Sequence, residues 1–228
     1  MTPISTDSRS RLYRTVYFEV GAMARRGQEL REHILDAAKL AFLEDGFERT
    51  SMDAIAARAE TSKRSLYAHF PTKDALFLAV VERIRALFGA RMRTPAEYSA
   101  QPAEAVVRYC GRFVQLLRWS SVTRMLRLGI AEADRLPDLA ASLYDVLFGT
   151  TVGSLAAHLV TTSGLAADEA EVVAEELIGL VIHPTLPRLL FGIEPSVDEL
   201  PEETRLAADV DLDRIGQLFR IVMPPTAA

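Results

Sequence analysis

The strongest constraint on this chain is a periodicity. From Glu29 to Val222 apolar residues recur every three or four positions, and no stretch alternates in the manner of a half-buried strand. Stripes of that spacing place one face of a helix against a core, so the expected fold class is all-α. At 228 residues the chain can bury a substantial core, as one large domain or as a small one plus a medium one. No apolar run reaches the roughly 18 residues that a membrane-spanning helix needs. The first residues, MTPISTDSRSRLYR, lack the apolar centre of a secretory signal. A cytoplasmic location with no membrane partner is therefore expected. Cys110 is the single cysteine, which excludes an internal disulfide and disfavours a cysteine-built metal site.

The net charge of −5 conceals an asymmetry. Residues 131–228 hold 5 Lys and Arg against 17 Asp and Glu, whereas residues 1–130 hold 21 against 14. Such a split points to a nucleic-acid-facing front and an acidic body, although surface patterning alone produces the same numbers. Arg9, Arg11, Arg14, Arg25, Arg26 and Arg31 concentrate positive charge near the start. Residues 1–27 fit no packed element and are expected to form a basic, flexible arm, despite a small apolar cluster of Tyr13, Val16, Tyr17 and Phe18. Met23 is an alternative start to the native product.

A first helix fits Glu29 to about Glu44, with Gly46 as its stop. Thr50 or Ser51 can cap a short second helix that ends near Ala59, and Asp53 places a carboxylate near its positive end. A turn at Glu60–Thr61 leads to a third, SKRSLYAHF, which stops before Pro71. Thr72 caps a longer fourth helix reaching to about residue 90. Beyond it the spacing predicts helices over QPAEAVVRYCGRFVQLLRWS, TRMLRLGIAEA, DLAASLYDVLFGTTVGSLAAHLV and DEAEVVAEELIGLVIHPTLPRLLFG. Asp168 and Glu171 form a capping-box-like start to the last of these, and Pro184 and Pro187 should shorten it. EPSVDELPEE reads as a loop before the final helix, VDLDRIGQLFRIVM.

Two helices of under three turns, joined by about three residues, are marginal alone and need a scaffold. Ile55, Ala56, Leu66 and Phe70 can supply the packing. The third helix then points Ser62, Lys63, Arg64 and Ser65 outward, together with Tyr67 and His69. Those donors and rings suit phosphates and base edges in a major groove, which is the geometry of a helix-turn-helix recognition helix. His69 as a merely solvated residue, and Tyr67 as partly core, are the plain alternatives.

The stretch ILDAAKLAFLEDGFERTSMDAIAARAETSKRSLYAHFPTKDALFLAVV resembles the DNA-binding domain of TetR-family (tetracycline-repressor-like) regulators. The resemblance rests on F-x-x-x-G-F, T-[ST]-M-x-x-I-A and S-K-x-x-L-Y-x-x-F-x-x-K-x-x-L over about fifty residues. It implies that Thr50 and Ser51 contact phosphate, that Lys63, Arg64, Ser65 and Tyr67 face the groove, and that Tyr67 and His69 touch backbone. Lys73 would bind phosphate at the start of the fourth helix. Glu60 departs from the family's glycine, and a non-glycine residue there is expected to accept an unfavourable backbone angle at roughly 1 kcal/mol. Arg64 stands where the family often has a small residue, and its fork suits a guanine edge or a phosphate.

MLRLGIAEADRLPDLAASLYD resembles a TetR subgroup with AefR-like C-terminal domains. With the two resemblances and the charge pattern, three parts are expected. They are a basic arm (1–27), a three-helix helix-turn-helix domain (28–75), and a larger helical ligand-binding and dimerisation domain (91–228). Two late helices would form the dimer interface, with Val172, Val173, Leu177, Leu180 and Val181 on one, and Leu212, Ile215, Phe219 and Val222 on the other. Ordinary core packing produces the same stripes. Pocket candidates are Tyr109, Phe113, Trp119 and Met125, with Tyr144, Phe148 and His158; for each, core packing is the simpler explanation.

Four scattered histidines have no metal spacing, and neither a phosphate loop nor a nucleophile elbow occurs, so no enzyme activity, cofactor or metal is expected. The expectation is a homodimeric transcriptional regulator on pseudo-palindromic double-stranded operator DNA. It is most simply a repressor released by a small-molecule effector. The rival is a co-regulator or interaction protein that keeps the fold without DNA binding, for which Glu60 is the supporting feature.

Overall fold

A computed structural model describes the backbone of residues 6–224 and the side chains of residues 26–224. The chain divides into two compact units, Met1–Val80 and Val81–Ala228. The first holds α1 (Thr6–Asp45), α2 (Met52–Arg58), α3 (Lys63–His69) and the start of α4 (Lys73–Gly89). In α1, Ile34, Leu35, Ala38 and Phe42 turn inward at three- and four-residue spacing and are buried. Gly46 ends this helix at φ 81°, a left-handed conformation that favours glycine. The chain then returns Phe47 to the core. Phe42, Phe47 and Phe77 form a ring cluster with centroids 5.6, 5.0 and 4.9 Å apart, each pair adding about 0.5–1.5 kcal/mol beyond its burial.

Helix α1 starts far earlier than the expected Glu29. Between Thr6 and Glu29 lie two glycines and no proline, and glycine weakens a helix by only about 1 kcal/mol where proline would break it. From Thr6 on, the backbone of the expected arm is therefore part of α1, while the side chains of residues 1–25, among them the apolar cluster of Tyr13, Val16, Tyr17 and Phe18, lie outside the described residues.

The second unit is built around α5 (Pro102–Leu117), whose residues from Ala105 onward are mostly buried. Around it stand α6 (Ser120–Ala131), α7 (Pro137–Tyr144), α8 (Thr150–Ser163), α9 (Ala167–Ile182), α10 (Thr185–Leu190), α11 (Leu206–Asp209) and α12 (Leu212–Val222). Helices α8 and α9 pack along each other, and α12 lies on α5 and α9. Gly111 permits the α5–α12 contact: a Cβ there would stand 2.5 Å from Leu212 Cδ2.

Three local expectations change, and a fourth is met. Helix α5 stops at Leu117 because Trp119 pairs with Val197. Ser120 N donates to Val197 O at 2.7 Å, and Val197 N donates to Arg118 O at 2.8 Å. The stretch expected as one helix over residues 138–160 remains helical but carries a π-helical segment at Asp145–Gly149. Helix α9 has Ala166 as its N-cap with no side-chain bond, so the Asp168–Glu171 capping box is not formed. It ends at Ile182, before a cis His183–Pro184 bond; this is the shortening expected at the prolines, and α10 follows as a separate helix.

Pro137–Ser163 is also long and apolar enough by composition to cross a membrane, contrary to the sequence count. Here Leu143, Leu147, Leu155 and Leu159 of that stretch are buried in the second unit's core.

Polar side chains fix the loop that follows α10. Arg112, buried, donates to the carbonyls of Arg91 at 3.1 Å and Pro201 at 2.8 Å. It also donates to Gln115 Oε1. Gln115 in turn donates to Glu202 O at 3.0 Å and Asp209 Oδ2 at 2.7 Å. Satisfied groups of this kind specify one arrangement of a loop, because breaking any member strands a buried partner.

Candidate nucleic-acid interface

Helices α2 and α3 have seven residues each and are held by caps at one end and by packing along one side. Ser51 accepts from Ala54 N at 3.1 Å at the start of α2, and Ser62 accepts from Ser65 N at 3.1 Å at the start of α3. Ile55, Ala56, Leu66 and Phe70 are all buried. Between the helices, Glu60 sits at φ 47°. Its N–H donates to Ala57 O at 3.1 Å, and that of Thr61 to Ala56 O at 3.0 Å. This is a left-handed helix ending of the kind glycine usually serves, so the expected unfavourable backbone angle at Glu60 is present.

With Leu66 turned in, α3 presents Lys63, Arg64 and Tyr67 outward, and all three are exposed. Among the described residues, Arg64 has no hydrogen bond or ion pair, which leaves its fork available for a guanine edge. Lys63 is exposed but not independent: its ammonium lies 2.6 Å from Asp53 Oδ2 on α2. The sequence offered Asp53 only as a helix-end carboxylate. A partner ten residues on, across a turn, has no signature in spacing. Ser65 and His69 are half-buried, and the Ser62 and Ser65 hydroxyls bond to each other at 2.9 Å. Ser51 remains exposed, and its hydroxyl keeps a proton to donate.

Two implied phosphate contacts do not fit the geometry. Thr50 is 3% exposed, and its hydroxyl is directed at Gly46 O (2.7 Å) and Ala41 O (3.2 Å). It fastens the loop to α1. Lys73 directs its ammonium to the carbonyls of Phe47 (2.9 Å), Thr50 (3.1 Å) and Glu48 (3.4 Å), and sits 4.2 Å from the centroid of the Phe47 ring. An ammonium has three donors, so these carbonyls occupy it, and Lys73 clamps the loop ahead of α2. Arg31, absent from the expected set, lies over the Phe70 ring at 5.1 Å and braces the end of α3 from α1.

In the second unit the pocket candidates separate. Phe113 and Met125 are fully buried core; Phe113 meets Phe88 and Phe148 edge-on at 6.3 and 5.8 Å. Trp119 is half-buried, with its indole N–H donating to Asp198 O at 3.3 Å. Tyr144 is two-thirds exposed against Phe148. His158 keeps a buried Nε2 without a partner. Tyr109 borders a cleft of about 410 Å³ whose wall includes Phe88, Met92, Thr151 and Ser154. Its hydroxyl donates to Thr151 O at 3.0 Å, and burial pushes its pKa up to about 12.

The dimer candidates separate too. Leu177, Val181 and Ile215 are buried within the chain itself and cannot meet a second copy. Helix α9 uses that stripe against its own neighbours. Val172 and Leu180 are exposed, while Val173, Leu212, Phe219 and Val222 are half-buried.

Known proteins match both units. Residues 34–80 match the profile of the bacterial regulatory proteins of the tetR family. Residues 84–212 match that of the AefR-like transcriptional repressor C-terminal domain. The regulator UidR of Escherichia coli K12 is 42% identical over 77 residues, 33% of this chain and 38% of that protein; the match thus spans less than half of that relative's length. Over the full fold, a TetR-family regulator from Mesorhizobium loti aligns with a TM-score of 0.69 at 25% identity, covering 86% of this chain and 98% of that one. The flavonoid-responsive regulator FrrA aligns at 0.67 and 26%, covering 88% and 100%. With an AefR-like domain following its helix-turn-helix, the chain belongs to the TetR family of bacterial regulators.

Proposed function

We propose that the chain is a sequence-specific DNA-binding transcriptional regulator, a repressor that a small molecule releases from its operator. The observation that carries this reading is the exposed outer side of α3. There Arg64, Lys63 and Tyr67 stand on a helix whose opposite side is clamped by Leu66 and Phe70. A recognition helix lies in one major groove, and two of them about one DNA turn apart need a two-fold partner. The homodimer is therefore part of the proposal, and the exposed Val172 and Leu180 of α9 are its first contact candidates. Arg64 reads bases, while Lys63, Ser51 and Tyr67 hold the duplex. Such a protein works where the DNA is, in the cytoplasm.

Control follows from a population shift: an effector in the second unit releases DNA only by as much as it prefers the released state. The similarity to FrrA, whose name describes it as flavonoid-responsive, supports a ring-containing effector. A gel-shift titration on the DNA flanking the protein's own gene tests the reading. Expected is a discrete complex that survives competition by unrelated duplex. Failure to retain any duplex would return the chain to the interaction-protein reading, with Glu60 as the starting point.

A further inference from the structure

The cleft beside Tyr109 lies wholly within the second unit, and the last turn of α4 forms one side of it. Its volume, about 410 Å³, is at the small end of the ~300–1,000 Å³ usual for small-molecule sites and suits one or two rings. Phe88, Met92 and Val146 supply apolar contact; thioether–ring packing there favours an aromatic guest.

The hydroxyls of the wall have a definite polarity. Tyr109 donates to Thr151 O (3.0 Å), Thr151 to Leu147 O (2.6 Å), Thr150 to Asp145 O (3.2 Å) and Thr94 to Glu97 Oε2 (2.7 Å), while Ser154, the fifth hydroxyl of the wall, is hydrogen-bonded to Tyr109. A hydroxyl has one proton and two lone pairs, so these groups can no longer donate; Thr94 and Thr150 are exposed and can still accept, whereas Tyr109 and Thr151 are each 1% exposed. The guest must bring its own donor to that side. The charged groups of the lining are Arg85 and Arg93, with no carboxylate or imidazole among its side chains, so a cationic amine is disfavoured and a neutral O–H is the fitting donor.

Arg85 and Arg93 also line the cleft. Each guanidinium is exposed and has an acidic neighbour, the exposed Glu82 at 3.8 Å from Arg85 and the half-buried Glu203 at 3.5 Å from Arg93. An exposed pair such as Arg85–Glu82 is worth about 0–1 kcal/mol, and both guanidiniums can turn to a forked contact with a carboxylate. A larger groove of about 900 Å³ borders α5 and α12, with its Glu104 and Arg108 paired at 2.7 Å.

We propose that the cleft between Tyr109 and the end of α4 binds a small phenolic carboxylic acid, its phenol donating to the hydroxyl wall and its carboxylate held by Arg85 and Arg93. The assignment rests on the reading that this unit senses a small molecule, and gives that molecule a chemical class.

Calorimetric titration of the full chain with 4-hydroxycinnamate, its neutral amide, and cinnamate tests it. Expected is binding of 4-hydroxycinnamate, with the amide and the phenol-less acid each at least about tenfold weaker. In the Arg85→Ala/Arg93→Ala variant, both substitutions being at exposed positions, the preference for acid over amide should vanish. Equal affinity for acid and amide, an unchanged preference in the double variant, or no binding of any of the three overturns the proposal. The gel shift on the same preparations keeps the two ideas apart. A chain that retains DNA but ignores all three compounds loses only the site assignment, whereas loss of DNA binding removes the regulator reading and leaves the calorimetry to decide the cleft.

Discussion

At the scale of single residues, Arg64, Lys63 and Lys73 are three cations of one short region with three different situations. Arg64 is exposed and unpartnered among the described residues. Arg64→Ala should flatten base preference at one operator position, by about 1–3 kcal/mol if the contact is bidentate, while leaving binding to unrelated duplex nearly intact. A competition series over single-base operator variants measures this, and an unchanged preference profile removes Arg64 from the reading role. Lys63 shares its charge with Asp53 across 2.6 Å. Asp53→Asn should free the ammonium for phosphate, tighten binding, and steepen the dependence of log K on log salt by about one unit. An identical slope in the variant would mean that Lys63 already leaves Asp53 on DNA, or that it contacts no phosphate in either protein. Lys73 is spent on three carbonyls. Lys73→Met, which keeps the aliphatic stem, should lower stability by about 1.5–3 kcal/mol, as loss of hydrogen bonds to a charged donor does, and leave the salt slope unchanged. Thermal denaturation and a salt titration report the two halves separately; a shallower slope would restore a phosphate contact.

At the scale of elements, neither α2 nor α3 is long enough to persist alone, so what fixes them is the turn, the caps and the inward residues. Glu60 is the weak point. A side chain at φ 47° costs about 1–2 kcal/mol, and a glycine there gives back part of that through the freedom it adds to the unfolded chain. Glu60→Gly should therefore stabilise the first unit modestly, by about 0.5–1 kcal/mol, and strengthen DNA binding by removing a negative charge between α2 and α3. A lower melting temperature in this variant would show that the glutamate makes a compensating contact. The second unit has its own element-scale device. The Arg112–Gln115 pair on α5 ties down the loop carrying Pro201 and Glu202, so a segment read as plain loop has fixed anchors.

At the scale of the whole molecule, the open question is which apolar surface a second copy covers. Leu177, Val181 and Ile215 are already consumed inside the chain, whereas Val172 and Leu180 stand exposed on α9. Val172→Asp with Leu180→Asp should raise the dimer dissociation constant at least about a hundredfold, or ~2.7 kcal/mol, because a carboxylate buried without a partner is strongly unfavourable. Sedimentation velocity across a dilution series measures it, and an unshifted monomer–dimer midpoint places the interface elsewhere. Much of this molecule was legible before any coordinates. Three- and four-residue periodicity, the stop at Gly46, a cap at Thr50 or Ser51 and the cap at Thr72 are local physics, set by neighbours within one or two turns. They fixed the helical class, the two short helices and the outward side of α3. What tertiary structure alone decided were matters of partnership between distant residues. Asp53 meeting Lys63, Lys73 meeting the Phe47–Thr50 carbonyls, Trp119 pairing with Val197, and α9 burying Leu177 rather than offering it all belong here. A stripe in a sequence states that a side will be covered; only packing determines by what.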